Sequence, residues 1–71
     1  MIDIQKNRRE VIRVRKREYN GRRYVDARIF FPGQDDDLRP SGKGVTISID
    51  LARDLAKAID AVAAKEVPDD E

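Results

Sequence analysis

An Asn20-Gly21 pair lies between two segments rich in β-forming residues, and it is the strongest structural signal in this sequence. A type I′ turn needs positive φ at both of its central residues, which asparagine and glycine adopt at low cost. We therefore predict a β-hairpin with strands over Val11–Tyr19 and Arg22–Phe31. A two-residue turn sets the register, so it determines the partner of every residue in the two strands.

Side chains alternate between the two faces of a strand, so this register sorts the hairpin residues into two sets. One set, termed the basic face, carries cations and aromatic rings: Arg13, Arg15, Arg17, Tyr19, Arg22, Tyr24, Asp26, Arg28 and Phe30. The other set is mostly apolar far from the turn: Ile12, Val14, Val25, Ala27, Ile29 and Phe31. Cations bind phosphates and aromatic rings stack on bases, so the basic face is typical of a surface for single-stranded nucleic acid.

The register also predicts individual pairs on the basic face. Arg15 opposes Asp26, which favours a structural ion pair. Arg13 opposes Arg28, and because like charges directly opposite each other are destabilising, this pair favours an anion bound between the two. Tyr24 has two interpretations, a stacking platform or an exposed β-forming residue.

The two phenylalanines at the end of the second strand are harder to assign. Phe30 is predicted to point outward on the basic face. Phe31 shares the apolar face in an ideal register and would pack in the core. A bulge near Pro32 would instead turn it outward for stacking on a base.

The rest of the chain predicts two further strands and one helix. Residues 1–10 form a basic N-terminal arm or an edge strand, and Leu38–Pro40 and Val45–Ile49 are short strands separated by a turn at 41–44. Apolar residues then recur at helical spacing: Leu51, Leu55, Ala58, Ile59 and Val62. Ser48 is the predicted N-cap and Pro68 ends the helical pattern.

These elements predict an α+β fold, in which an antiparallel sheet is followed by one C-terminal helix that packs on the apolar face of the hairpin. Residues 11–66 form the domain and residues 67–71 an acidic tail. A chain of 71 residues without cysteine buries little surface and has no disulfide. We therefore expect a homodimer, with an interface made by one apolar stripe of the helix: Leu51, Leu55, Ile59 and Val62.

Composition argues against several classes of function. The sequence has no histidine, the commonest general base and metal ligand, and no cysteine, which supplies thiolate ligands to metals. No serine or carboxylate lies in a catalytic motif. We expect no enzyme activity, cofactor, metal site or small-molecule substrate.

The net charge of +1 conceals an uneven distribution of basic and acidic residues along the chain. Residues 1–31 hold ten basic and four acidic groups, whereas residues 32–71 hold five basic and ten acidic groups.

No signal peptide and no apolar run of about 20 residues is recognisable, so no membrane association is expected. The expected location is the cytoplasm, on the nucleoid in a bacterium.

Three segments together carry a resemblance to a known family. They are Val14 to Arg22 with the turn, Tyr24 to Arg28 with its Asp-x-Arg, and Leu38 to Val45 with its Pro-x-x-Lys-Gly. This pattern resembles the positive cofactor four family of transcriptional coactivators, in particular its short bacterial members. The resemblance covers roughly residues 11–64.

The resemblance implies a curved four-stranded antiparallel sheet, a homodimer packed through helices and sheet edges, and binding of single-stranded or melted DNA. Carried over by position, the family's DNA-contacting residues fall on Arg17, Tyr19, Arg22, Arg28, Phe31, Arg39 and Lys43. The basic face adds Arg13 to this set. The sequence departs from the family pattern where Asn20, Phe31 and Gly42 replace a basic residue, a tryptophan and another basic residue.

We therefore predict a module that binds single-stranded DNA with little sequence preference and supports transcription or protects melted DNA. One alternative is a protein-interaction module whose basic hairpin docks an acidic partner of the transcription machinery. Another is an RNA-binding protein. Aromatic rings interleaved with arginines favour nucleic acid, because an acidic protein partner needs charge but no stacking platform.

Overall fold

Four antiparallel strands form one open sheet followed by a single helix in this computed structural model, which describes residues 1–69. The elements are β1 (Ile2–Gln5), β2 (Val11–Tyr19), β3 (Arg22–Pro32), β4 (Leu38–Ser48) and α1 (Ile49–Ala63). Neighbours in sequence are neighbours in the sheet, so β1 and β4 are its edges. The α+β class, the antiparallel sheet and the C-terminal helix are as predicted.

The hairpin of β2 and β3 has the predicted turn and register. Asn20 and Gly21 have φ values of 51° and 75°, as a type I′ turn requires. Pairing continues without interruption from Tyr19 opposite Arg22 to the far end of β2. The two faces of the hairpin therefore contain the residues assigned to them from the sequence.

The prediction of two short strands separated by a turn at 41–44 is wrong, because residues 38–48 form the single strand β4. This segment contains Pro40, Gly42 and Gly44, which normally interrupt strands. An edge strand tolerates them, because β4 needs hydrogen bonds on only one side, to β3.

β4 accommodates these residues with an irregularity in its pairing to β3. Arg28 pairs with Gly44 and Phe30 pairs with Pro40. Between these two pairs β3 advances by two residues and β4 by four. The bulge therefore lies in β4, opposite Ile29, and not near Pro32.

The N-terminal segment forms an edge strand, one of the two alternatives that the sequence left open. β1 pairs with β2, from Ile2 opposite Val14 to Gln5 opposite Val11. The side chain of Asn7 organises the turn that follows, because its Oδ1 accepts hydrogen bonds from two backbone N–H groups, at 3.0 and 2.9 Å.

The helix begins as predicted and lies on the predicted face of the sheet. The Oγ of Ser48, the N-cap, accepts a hydrogen bond from the N–H of Leu51 at 3.3 Å. The backbone of α1 lies closest to β3 and β4, and Val14 of β2 borders the same cavity under the helix as Leu55 and Ile59. The predicted acidic tail at 67–71 extends beyond the described part of the chain, since Asp70 and Glu71 lie outside it.

The most buried side chains lie on the basic face and not under the helix. Only Val11, Asp26 and Phe30 are buried among residues 1–69, and the register places all three on the basic face. The apolar side chains under α1 are half-buried at best, and no residue of α1 is buried. The helix alone therefore leaves much apolar surface in contact with solvent.

Candidate nucleic-acid interface

The ring of Phe30 packs beneath two arginine side chains of the basic face. Its side chain is only 3% exposed, although the sequence predicted that it would point outward to solvent. The guanidinium carbons of Arg13 and Arg15 lie 4.6 and 5.1 Å from the centre of its ring. Phe30 is thus on the predicted face but covered, because two long cationic side chains fold over it.

Asp26 is the buried anion of the basic face. Thr46 Oγ1 donates a hydrogen bond of 2.6 Å to its Oδ1, and Arg28 Nη2 donates to the same oxygen at 2.9 Å. Burial favours the neutral carboxylic acid, but these hydrogen bonds outweigh it and lower the pKa of Asp26. Asp26 is therefore ionised at neutral pH and offsets part of the positive charge around it.

The predicted ion pair between Arg15 and Asp26 is present, but it is long. Arg15 Nε lies 3.7 Å from Asp26 Oδ2, beyond hydrogen-bond distance, and this buried nitrogen has no hydrogen-bond acceptor among the described residues. Arg28 forms the closer pair with the same carboxylate. Asp26 therefore holds two arginines of the basic face in place at once.

Arg28 directs every nitrogen of its guanidinium group toward the protein. Nε and Nη2 donate to Asp26, Nη2 also donates to Thr46 Oγ1 at 3.2 Å, and Nη1 donates to the carbonyl of Ser41 at 3.1 Å. Phosphate contact by Arg28, which the family resemblance implied, stays a prediction. These bonds leave Arg28 few donors for a phosphate.

Arg13 has a carboxylate of its own, which the sequence did not reveal. Its Nε and Nη2 donate to Asp3 of β1 at 2.8 and 2.9 Å, in a bidentate ion pair. The anion expected between Arg13 and Arg28 is therefore unnecessary, because each arginine already faces a carboxylate of the protein. Contact of Arg13 with nucleic acid would compete with Asp3.

The turn end of the basic face is open to solvent. Tyr19 is 70% exposed, and Arg17 and Arg22 are also exposed, with no ion pair to any residue among 1–69. A shallow concavity of about 270 Å³ lies beside them. It is bordered by Arg17, Glu18, Tyr19, Tyr24, Asp26, Arg28 and Thr46. An unpaired cation, Arg17, and the exposed ring of Tyr19 thus border a depression with room for part of a nucleotide.

Phe31 and Arg39 lie elsewhere. They oppose each other across β3 and β4, and alternation along β3 places them on the face opposite Phe30. Phe31 is 40% exposed, so the core-packing interpretation is wrong. With Pro32 and the turn residues Asn7, Arg9 and Glu10 it borders an open concavity of about 400 Å³. Arg39 Nη2 donates to Asp35 at 3.0 Å.

Lys43 lies in the bulge of β4, exposed, with no ion pair among the described residues.

The eight residues predicted to bind nucleic acid divide into three groups by their position in the sheet. Five lie on the basic face: Arg13, Arg17, Tyr19, Arg22 and Arg28. Phe31 and Arg39 lie on the other face, and Lys43 lies in the irregular part of the β4 edge.

The predicted dimer residues of α1 are exposed. Their exposed fractions range from 38% to 61%: Leu51, Leu55, Ile59 and Val62. Open apolar depressions border this stripe, one of them shared with Val45 and Ile47 of β4. Helix and sheet thus present a continuous apolar surface.

No helix within residues 1–69 is long and apolar enough to span a membrane. No group of three or more acidic side chains in the same part of the chain is arranged to hold a metal ion.

Comparisons with known proteins agree on one family. Residues 6–58 match the family model described as Transcriptional Coactivator p15 (PC4). The structure is similar to the orthorhombic crystal structure of BPSL1147, a PC4 homolog from Burkholderia pseudomallei K96243, with a TM-score of 0.82 and 33% identity over 94% of this chain and 89% of that one. The tetragonal form gives a TM-score of 0.82 and 32% identity over 89% and 93% of the two chains. No curated protein matched the sequence.

Proposed function

This chain belongs to the Transcriptional Coactivator p15 (PC4) family, and we propose that it binds single-stranded DNA with little sequence preference. The family is one of non-enzymatic DNA-binding proteins, which supports a binding role without catalysis. Bound to an unpaired strand, the protein would support transcription or protect melted DNA. The binding surface is the turn end of the basic face.

The observation that carries this proposal is the exposure of Tyr19 between two cations that lack a protein partner. Arg17 and Arg22 flank Tyr19 on the same face of the hairpin, the first two residues before it and the second directly opposite it. A phosphate can neutralise such cations, and a ring that is 70% exposed gains by stacking on a base. An acidic protein partner would explain the cations but not the ring.

A single strand should bind more tightly than a duplex. Duplex bases are stacked on one another, so their faces are not available to Tyr19, and the sheet offers no helix to read a major groove. The cations attract phosphates in either form. Two stacked bases at about 1–3 kcal/mol each would favour the single strand by about tenfold or more.

Competition between DNA forms tests this proposal. A labelled single strand bound to the protein at about 150 mM salt is displaced by equal lengths of single strand, duplex and bubble. We expect the single strand and the bubble to compete at least about tenfold better than the duplex. Equal competition by duplex would instead indicate a purely electrostatic surface and favour an acidic protein partner. Better competition by an RNA strand of the same length would favour the RNA-binding alternative.

The apolar stripe of α1 supports a homodimer as the functional form. Leu51, Leu55, Ile59 and Val62 are largely exposed, and α1 has no buried residue. A second copy of the chain would cover this surface and supply the core that one short chain lacks. Two sheets in one particle would bind two strands, as in a melted bubble. A well-folded monomer of 8.1 kDa in sedimentation at micromolar concentration would contradict the dimer.

A further inference from the structure

The concavity at the turn end of the basic face has a second aromatic wall. Tyr24 is half-buried, lies directly opposite Arg17 and borders the same depression as Tyr19. The proposed function uses Tyr19 as a platform for bases in general, and it leaves Tyr24 and the polar floor of the depression without a role. An inference about these groups rests on that proposed function and makes it more specific.

The two rings come from neighbouring strands and border the same concavity. Tyr19 pairs with Arg22, so Tyr24 is its diagonal neighbour, two residues further along β3. Diagonal neighbours of an antiparallel pair are about 7–8 Å apart and within reach of aromatic side chains. The two side chains lie on the same face of the hairpin and border one concavity, so a single base can reach both rings.

The floor of the depression offers hydrogen-bond acceptors. Thr46 is exposed, but its hydroxyl hydrogen is already donated to Asp26 Oδ1 at 2.6 Å. Arg28 Nη2 donates to one lone pair of the same hydroxyl at 3.2 Å, which leaves the other lone pair free. Asp26, ionised and nearly buried, is acceptor-only as well. A group that hydrogen-bonds to Thr46 or Asp26 must therefore bring a donor.

We propose that this concavity holds one nucleobase between Tyr19 and Tyr24 and selects a base whose exocyclic amino group donates to Thr46 Oγ1. Cytosine presents such a donor at N4, where uracil presents a carbonyl oxygen that meets the acceptor floor unfavourably. Arg17, at the rim opposite Tyr24, is placed to neutralise the adjacent phosphate. The other nucleotides of the bound DNA strand are held without base selection, so the preference concerns only the nucleotide in this concavity.

Oligomers of deoxycytidine and deoxyuridine of equal length test the selection, because their bases differ on this edge by the exchange of an amino group for a carbonyl. Fluorescence anisotropy with the unmodified protein at neutral pH should give roughly fivefold tighter binding of the deoxycytidine oligomer, the effect of one net hydrogen bond. Thr46→Val should abolish this difference, whereas Thr46→Ser, which keeps the hydroxyl, should retain it. Equal affinity of the unmodified protein for the two oligomers would overturn the selection.

Tyr24 is tested with a matched pair of variants. Tyr24→Leu should weaken binding of both oligomers by roughly fivefold to 150-fold, and Tyr24→Phe, which keeps the ring, should bind like the parent. Circular dichroism and thermal unfolding show whether each variant is folded. Unchanged binding by a folded Tyr24→Leu would overturn the inference while the proposed function stands. If the unmodified protein binds neither oligomer nor a mixed single strand, the proposed function fails, and the inference fails with it.

Discussion

Asp3 of the edge strand β1 binds Arg13 of β2 through two parallel hydrogen bonds, and Arg13 in turn lies over the ring of Phe30. The carboxylate thus occupies the guanidinium edge that a phosphate would use. The hydrogen bond from Arg13 lowers the pKa of Asp3, so the carboxylate is charged at neutral pH and would compete with a phosphate for Arg13. β1 therefore adds a negative charge to the basic face as well as an edge to the sheet.

Removal of this competitor should strengthen binding. Asp3→Asn is expected to bind single-stranded DNA more tightly and to steepen the salt dependence by ~0.7 in slope, the effect of one additional phosphate contact. Asp36→Asn removes the same charge from an exposed loop, where the positive φ of 67° suits asparagine, and is the matched control. If Asp3→Asn and the control show the same slope of affinity against salt concentration, Arg13 does not contact the DNA strand.

Charge and stacking at the hairpin turn should be separable. Arg17→Ala should weaken binding to all sequences and reduce the salt slope by ~0.7, because one phosphate contact is lost. Tyr19→Ala should cost about 1–3 kcal/mol of binding free energy and leave the slope nearly unchanged. Titrations of each variant at several salt concentrations measure both quantities. If Tyr19→Ala binds as well as the parent, this ring is not a stacking platform.

The Asp26 network should make stability sensitive to acid. The pKa of Asp26 is lowered in the folded state, so its contribution is present above the unfolded-state value of about 3.9 and is lost as pH falls below it. Asp26→Asn should lose roughly 3 kcal/mol at neutral pH, because partly buried arginines remain without their carboxylate. The thermal midpoint of Asp26→Asn should also fall less than that of the parent between about pH 5 and pH 2. Parallel curves for variant and parent would contradict this.

Two glycines of β4 should differ sharply in their tolerance of a methyl group. A Cβ on Gly44 would lie 2.5 Å from the carbonyl oxygen of Ala27 and 2.8 Å from the Cα of Arg28, both backbone atoms of β3. Gly44→Ala should therefore destabilise the fold by about 1–3 kcal/mol in chemical denaturation. Gly42→Ala, which faces open space, should change stability far less. Equal losses would mean that β3 and β4 separate easily at this point.

The proposed dimer should depend on the apolar stripe of α1. Leu55→Asp places a charge in the interface and should dissociate and unfold the protein together, because an unpaired buried charge is very costly. Lys57→Asp changes an exposed position of the same helix and should leave the assembly intact. Sedimentation and circular dichroism monitor the two properties. A folded Leu55→Asp with the mass of the parent would rule out this interface.

The hairpin was predictable because its determinants are local. Asn20 and Gly21 impose a turn that fixes the register of nine pairs, and the faces follow from alternation. The helix was equally accessible, since Ser48 and the apolar spacing are both short-range signals. The residues alone predicted four strands before a helix, and the family resemblance, which the family match confirms, implied the same arrangement.

The parts that sequence reasoning missed depend on contacts between distant residues. Asp3 reaches Arg13 only because β1 pairs with β2, and nothing local to Asp3 announces this. Phe30 is on the predicted face, but its burial depends on how the arginines fold over it. Thr46 lies opposite Asp26 only because of the register of β4. The glycines and the proline in this segment led to the prediction of a turn at 41–44 and not of one continuous strand.

The bulge in β4 has a consequence for how this protein can change in length. Between Gly44 and Pro40 the strand carries two residues more than β3, and an even excess returns every later side chain to its original face. Deletion of two residues there would restore regular pairing with β3, whereas deletion of one would leave a bulge with a single extra residue, which strands also accommodate. The strand can therefore lose residues at this point while the pairs on either side of the bulge are kept.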